Sequence, residues 1–392
     1  MFWPLIFGIL LVYSPTMAEQ SVNWRGMGPK NPTHVAALHT LGRIVLLLAY
    51  LYFFLLSIDL MGSAMKLFGK GFAETLIAGT SNPFIGLFIG ILATSIVQSS
   101  SSTTSIVVGL VGSNALTVAN AIPIIMGANI GTSVTNTLVS LANINRSAEF
   151  RRSFAASIVH DFFNFLAVLV LFPLQYFTNF LGNICSALEV VFQNAGGLEF
   201  LNPLKAATKP VVGILVELVG VPWILLFVAL ALLFLALRQI VKVLKVMVVA
   251  KAGAWFDKIL FKNKWRAFAV GLLLTVMAQS SSITTSLVIP LAGAGLLTLR
   301  QIFPYTLGAN VGTTVTAILA SLVTANPNAV IVAFAHLLFN ICGIAIWWPL
   351  QKVPLTLAQS FADQAAKNRV FPFVYILVMF FGIPLAAILA LN

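Results

Sequence analysis

Long apolar stretches separated by short polar ones make up most of this chain. Five of them, 44–65, 153–175, 221–237, 331–350 and 371–391, are apolar and long enough to cross a hydrocarbon core as α-helices. Two longer apolar regions, 83–145 and 267–322, are interrupted by Gly, Pro, Ser, Thr and Asn. The apolar runs are continuous, whereas the strands of a membrane β-barrel would alternate. The pattern predicts an all-α polytopic membrane protein with broken helices in the two interrupted regions. Composition agrees: 59% of the 392 residues are hydrophobic, 8% are charged, and the mean hydropathy is +1.00.

The polar interruptions repeat. "QSSSSTTSIVVGLVG" at Gln98 returns as "QSSSITTSLVIPLAG" at Gln279, and "GANIGTSVTNTLVSL" at Gly127 as "GANVGTTVTAILASL" at Gly308, both at an offset of 181 residues. After a five-residue contraction, "HDFFN" at His160 pairs with "HLLFN" at His336. The chain therefore divides into repeat 1 (41–175), an extracytoplasmic linker (176–220) and repeat 2 (221–391). Residues 1–18 look like a signal peptide or N-terminal hydrophobic segment without the usual basic start.

Charge orients the repeats. Eight of the 22 basic residues lie between Arg238 and Arg266, with Asp257 the one acid among them. Beside a span, such a cluster marks a cytoplasmic loop, not a nucleic-acid surface. "NRSAEFRR", which follows the first polar region, is basic; its counterpart "VTANPNA" is uncharged. The halves thus enter the membrane from opposite sides, as inverted-topology repeats. Secondary transporters built this way carry their site between the repeats, near the midplane. Cys185 and Cys342 fit neither a metal spacing nor a disulfide framework.

Glycines beside the polar segments allow a helix to break, leaving carbonyls, hydroxyls and amides facing inward. Neutral oxygens suit a hard cation such as sodium; the donors of Gln, Ser and Thr suit an oxyanion. Region 83–145 holds no Asp, Glu, Lys, Arg or His. An anion bound there would take its positive charge from co-bound cations, which makes binding of one depend on the other. Helix packing by small and hydroxylated residues is the bland alternative, and two copies with intact neighbours argue against it. Asp161, opposite Leu337 in the repeat, reads as an extra cation ligand or as a partner for His160 or an Arg. Asp59 admits packing or function equally. His160 and His336 favour structural hydrogen bonding over a proton relay.

These motifs, with "EFRRSFAASIVHDFFN", resemble the type II sodium-dependent phosphate cotransporter family in its bacterial form, over most of 41–391. The resemblance implies symport of inorganic phosphate with sodium across the bacterial inner membrane, two re-entrant hairpins carrying the serine motifs, and no cofactor beyond sodium as coupling ion. Gln98, Ser99, Ser100, Ser101, Gln279, Ser280, Ser281 and Ser282 would bind phosphate. Thr313 and Thr316 match threonines assigned to sodium binding, Asp161 the acid of electrogenic members, and Asn164 its neighbouring ligand. The repeat adds Asn129, Thr132, Thr135 and Asn310 as sodium candidates. The chain departs from the family at Ala309, where many relatives have Ser, and at Arg146, which replaces an acid. Its linker is also short and lacks the paired cysteines of animal relatives.

Three other readings compete. Transport of arsenate or sulfate would use the same site. A passive channel would show no sodium-driven accumulation. An intramembrane serine hydrolase would need a nucleophile elbow beside His160 or His336, and no "GxSxG" is present.

Overall fold

The computed structural model describes residues 32–195, 202–252 and 263–391. The signal-like segment 1–18 lies outside them. The chain divides into two units, 1–46 and 47–392. The described part of the first is the beginning of a helix; all that follows concerns the second.

The described residues form helices and no strand. In chain order these are α1 (Pro32–Phe68), α2 (Lys70–Gly79), α3 (Pro83–Val97), α4 (Ser100–Gly112), α5 (Val118–Gly131), α6 (Val134–Ser140), α7 (Ser147–Thr178), α8 (Phe180–Asn194) and α9 (Asn202–Val219). They continue as α10 (Pro222–Ala252), α11 (Lys264–Ala278), α12 (Ser281–Ser286), α13 (Val288–Gly293), α14 (Leu299–Thr324), α15 (Pro327–Trp347), α16 (Lys352–Lys367), α17 (Phe371–Leu377) and α18 (Ile383–Leu391). Seven segments among the described residues are long and apolar enough to span a membrane. They include all five stretches expected from the sequence. Helix α15 ends at Trp347, three residues short of expectation; Pro349 has no N–H to continue the helical ladder. The segment expected as a linker is itself largely helical, in α8 and α9.

The repeat seen in sequence returns as repeated local structure. Asn82 caps α3 by accepting from the Phe84 amide, and Asn263 caps α11 by accepting from the Trp265 amide. Both helices end on a glutamine in the left-handed region, Gln98 (φ 56°) and Gln279 (φ 51°). An extended serine follows each, Ser99 accepting from the Ser102 amide and Ser280 from the Ile283 amide. Each of these side chains satisfies one of the donors that a helix start leaves free.

Glycine sets the helix spacing in both halves. A Cβ on Gly127 of α5 would sit 1.9 Å from the Leu87 carbonyl oxygen of α3; one on Gly308 of α14 would sit 2.0 Å from that of Phe268 on α11. Backbones therefore touch, as in close transmembrane pairs. Helices α3 and α11 are each 15 residues long. At about 1.5 Å per residue they fall short of the ~30 Å hydrocarbon core.

Helices α5, α7, α14 and α15 are mostly buried, whereas α10, α17 and α18 expose most of their surface. Large apolar side chains such as Phe177, Leu218, Phe227 and Leu389 point outward. In lipid this is the expected arrangement, since only polar groups need shelter there.

Candidate functional site

The two serine motifs meet. The Ser101 hydroxyl donates to the backbone carbonyl of Gln279 at 2.9 Å, across 178 residues of sequence. Gln279 is further held on its own repeat. Its Nε2 donates to the Val276 carbonyl, and its Oε1 accepts from the Thr316 hydroxyl, both at 2.6 Å. The equivalent groups in repeat 1 are not joined: Gln98 is exposed, and the buried Thr135 Oγ1 has no partner. A non-glycine residue at positive φ costs of order 1 kcal/mol or more and persists where its surroundings fix it. Here it occurs twice, at matched positions.

Both motifs start short helices inside the protein. Ser99 Oγ accepts from the amide and hydroxyl of Ser102. Ser100 and Ser281 are buried as first residues of α4 and α12. The Ser282 hydroxyl donates to the Thr132 carbonyl at 3.4 Å, again across the repeats. Thr132 lies at a break between α5 and α6, where helical bonding lapses at Thr132–Ser133. Both residues keep right-handed helical angles, so the segment is not unwound, but two carbonyls near it bond outside the helix. One, on Asn129, accepts from Asn164 Nδ2 at 2.7 Å; another, on Thr132, accepts from Ser282. The matching segment of repeat 2 does not break, because α14 runs unbroken through Gly308–Thr316. There the Thr313 hydroxyl turns back to the Ala309 carbonyl, as Thr132 Oγ1 does to that of Ala128. The expected unwound segments are thus found in neither repeat: repeat 1 shows a lapse in helical bonding and repeat 2 a continuous helix.

A second polar cluster ties the repeats together beside the motifs. His160 Nε2 lies 2.5 Å from Asn310 Oδ1, and Asn310 Nδ2 donates to Asn164 Oδ1 at 2.9 Å. The counterpart contacts are His336 Nε2 to Asn129 Oδ1 and Asn340 Nδ2 to Asn129 Oδ1, both at 3.3 Å. Each residue of one repeat meets the partner of its own equivalent, which is the reciprocity of a two-fold interface. Every member is buried. An amide oxygen only accepts, so both histidines carry their proton on Nε2. Each is engaged as a structural donor to an asparagine, which supports the structural reading and gives no serine a base.

Asp161, one residue from this cluster on α7, is fully buried. Its Oδ2 accepts from the Tyr375 hydroxyl at 2.8 Å, while Oδ1 has no partner. Asp59 is tied to a different place: its Oδ2 accepts from Thr208 of α9 at 2.9 Å, which favours packing over function. The structure thus gathers Asn129, Asn164 and Asn310 in one cluster. Thr316 sits against Gln279, Asp161 faces Tyr375, and Thr135 is alone. No group of three His, Cys, Asp or Glu side chains is gathered among the described residues. Amides, hydroxyls, carbonyls and a single carboxylate form instead a donor set suited to hard cations.

Sequence reasoning missed four participants. Asn340 had a visible signal in its match to Asn164. Asn136 and Thr285 bond across the repeats, with Asn136 Nδ2 donating to Thr285 Oγ1 at 2.8 Å. Asn136 has Ala317 as its repeat equivalent and so carried no repeat signal, whereas Thr285 matches Thr104 within the quoted motif. Tyr375, the lone hydroxyl in its apolar span, carried no repeat signal.

These features define a multi-pass α-helical membrane protein with a polar centre shared by two repeats. The family model described as "Na+/Pi-cotransporter" matches residues 53–201 and 226–362. The chain is 34% identical over 471 residues to sodium-dependent phosphate transport protein 2B of Homo sapiens, covering 95% of this chain and 68% of that protein. It is also 34% identical over 428 residues to sodium-dependent phosphate transport protein 2A of Ovis aries, covering 88% and 67%. No solved structure matches. The chain belongs to the Na+/Pi-cotransporter family, and its relatives are transporters rather than enzymes.

Proposed function

We propose that this protein is a sodium-coupled symporter of inorganic phosphate in the bacterial inner membrane. It would work by alternating access around a midplane site that both serine motifs complete. The observation that carries this is the Ser101–Gln279 hydrogen bond, which brings the two breaks to one place. At the first break the C-terminal end of α3 meets the N-terminal end of α4. The partial negative end favours a cation and the partial positive end an anion, so one junction suits both cargoes.

Coupling follows from what the site lacks. Gln98–Ser101 and Gln279–Ser282 offer hydroxyls and amides but no fixed positive charge. Phosphate leaving water for this place needs compensating charge, and sodium ions on neighbouring amide and carboxylate oxygens would supply it. Binding of either then raises the affinity for the other by the same factor. Reciprocal contacts between the repeats, together with the charge contrast of their loops, support inverted topology. The short paired helices α3–α4 and α11–α12 support re-entrant hairpins. Asp161 supports electrogenic transport through one extra cation.

The test is uptake of radiolabelled phosphate into proteoliposomes with and without an inward sodium gradient. Accumulation should require sodium, and Gln98→Ala and Gln279→Ala should each remove most of it while expression stays normal. Normal uptake by either variant at limiting phosphate and sodium would refute a shared site. Arsenate or sulfate competing better than phosphate would reassign the substrate.

A further inference from the structure

Among the described residues, two side chains approach the Asp161 carboxylate from other helices: Ser133, at the α5–α6 break, and one group from further along the chain. That group is Tyr375, in the last span, at a position beyond both segments that the family model matches. Its ring is clamped by Phe154, Phe361 and Phe380 at centroid distances of 5.9 to 6.4 Å. Just beyond it the helix widens into a π turn over Val378–Gly382. Pro384 explains that turn, since in α geometry its ring would collide with the Phe380 carbonyl. Packing therefore fixes the ring, and the ring fixes where the hydroxyl points. Asp161 is 0% and Tyr375 6% exposed.

We propose that Tyr375 is a positioning residue for the coupling cation: its hydroxyl holds Asp161 through Oδ2 and leaves Oδ1 as the oxygen that ligates sodium. The proposal rests on Asp161 being a sodium ligand. A carboxylate has two equivalent oxygens and turns easily about its last bond. One strong donor on Oδ2 removes that freedom before the ion arrives. The orphaned Oδ1 fits this division, because a buried carboxylate oxygen without a partner is costly unless something cationic takes it. A hydroxyl that merely satisfied a buried carboxylate would stabilise the fold without affecting sodium. The two roles make different predictions.

The experiment is Tyr375→Phe, which removes the donor and keeps the ring. A hydrogen bond to a charged group contributes about 1.5–3 kcal/mol, an upper bound of roughly 10- to 150-fold on sodium affinity. Sodium half-saturation of phosphate uptake should rise about tenfold, with the phosphate KM at saturating sodium changing less than about twofold. In an Asp161→Gly background the same substitution should shift nothing further. If transport is too weak to titrate, the sodium-dependent rise in Tm of the purified variant gives the same comparison. A Tyr375→Phe protein with lower Tm but unchanged sodium dependence overturns the proposal, as does a shift that persists undiminished without Asp161. If Asp161→Gly itself leaves sodium half-saturation unchanged, the ligand reading of Asp161 fails instead.

Discussion

Asn310 and Asn129 hold equivalent places, yet their contacts differ in length, and removing them should have unequal effects. Asn310→Ala deprives His160 Nε2 of an acceptor at 2.5 Å and Asn164 Oδ1 of a donor at 2.9 Å. His160 Nδ1 is already without a partner, so the ring would lose its remaining hydrogen bond. A buried polar group left unpaired costs about 1–3 kcal/mol, which puts the loss at about 2–6 kcal/mol. Asn129→Ala removes two contacts of 3.3 Å and a 2.9 Å bond to the Ile125 carbonyl, and leaves the His336 ring, whose Nδ1 also lacks a partner, without a hydrogen bond. Asn340 Nδ2 keeps its bond to the His336 carbonyl at 2.9 Å, and Asn164 keeps the backbone oxygen of residue 129. That substitution strands one buried group rather than two and should cost about 1–3 kcal/mol.

The assay is thermal unfolding of both purified variants in detergent without sodium, followed by tryptophan fluorescence. One kcal/mol shifts Tm by about 2–4 °C in a chain of 150–250 residues and somewhat less in a longer one. Asn310→Ala should therefore lower Tm by about 2–7 °C and Asn129→Ala by about half of that. Equal losses, or a larger one for Asn129→Ala, would mean that the difference in distance carries no energy. The argument that one arm of the two-fold network is the tighter would then be wrong.

Two further outcomes follow from the proposed topology and coupling. After replacement of Cys185 and Cys342, a cysteine at Ser147 should react only with cytoplasmic reagent and one at Ala325 only with external reagent; both sites are exposed, and labelling from one side would defeat the inverted arrangement. Uptake should depend on membrane potential, and Asp161→Gly should keep some uptake while losing that dependence. One net charge across 100 mV amounts to about 2.3 kcal/mol, a roughly fiftyfold change in accumulation under a potassium–valinomycin clamp. A voltage response unchanged in Asp161→Gly would return Asp161 to a structural role.

Much of this architecture was legible because the physics of a bilayer is written in continuous runs. A span needs about 20 apolar residues, so α1, α7, α10, α15 and the last span stood out. The repeat was legible for a different reason: Gln98 and Gln279, or Gly127 and Gly308, do the same local work, and that work constrains residue type. What stayed hidden depends on which helices touch. Nothing near Tyr375 says that it reaches Asp161 across 214 residues. Nothing in "SVTNT" distinguishes Asn136, which crosses to Thr285, from Thr135, which meets no one. The unbroken course of α14 was equally hidden. "GANIGT" and "GANVGT" are nearly identical, and the difference arises from partners elsewhere, the Asn164 amide and the Ser282 hydroxyl that take the freed carbonyls in repeat 1.

Symmetry and its failures divide the labour within the molecule. Backbone features repeat closely: the left-handed glutamines, the extended serines and the glycine contacts between helices all return in the second copy. The reciprocal contacts are of unequal length, His160–Asn310 at 2.5 Å against His336–Asn129 at 3.3 Å; under the proposed alternating access, a second arrangement would exchange which arm is tight. A small gap between two packings is what alternating access demands, since a cargo can shift an equilibrium only by its differential affinity for the two states. Departures from symmetry fall on the α5–α6 interruption, which α14 lacks, and on side chains that carry charge or hydrogen bonds: Asp161 against Leu337, Asn136 against Ala317, the docked Gln279 against the exposed Gln98. A strictly symmetric pair of repeats would offer its cargo the same site from either face. Under the proposed function, the single carboxylate, present in one repeat and held by a tyrosine from the last span, would give the cation a side of the protein to prefer.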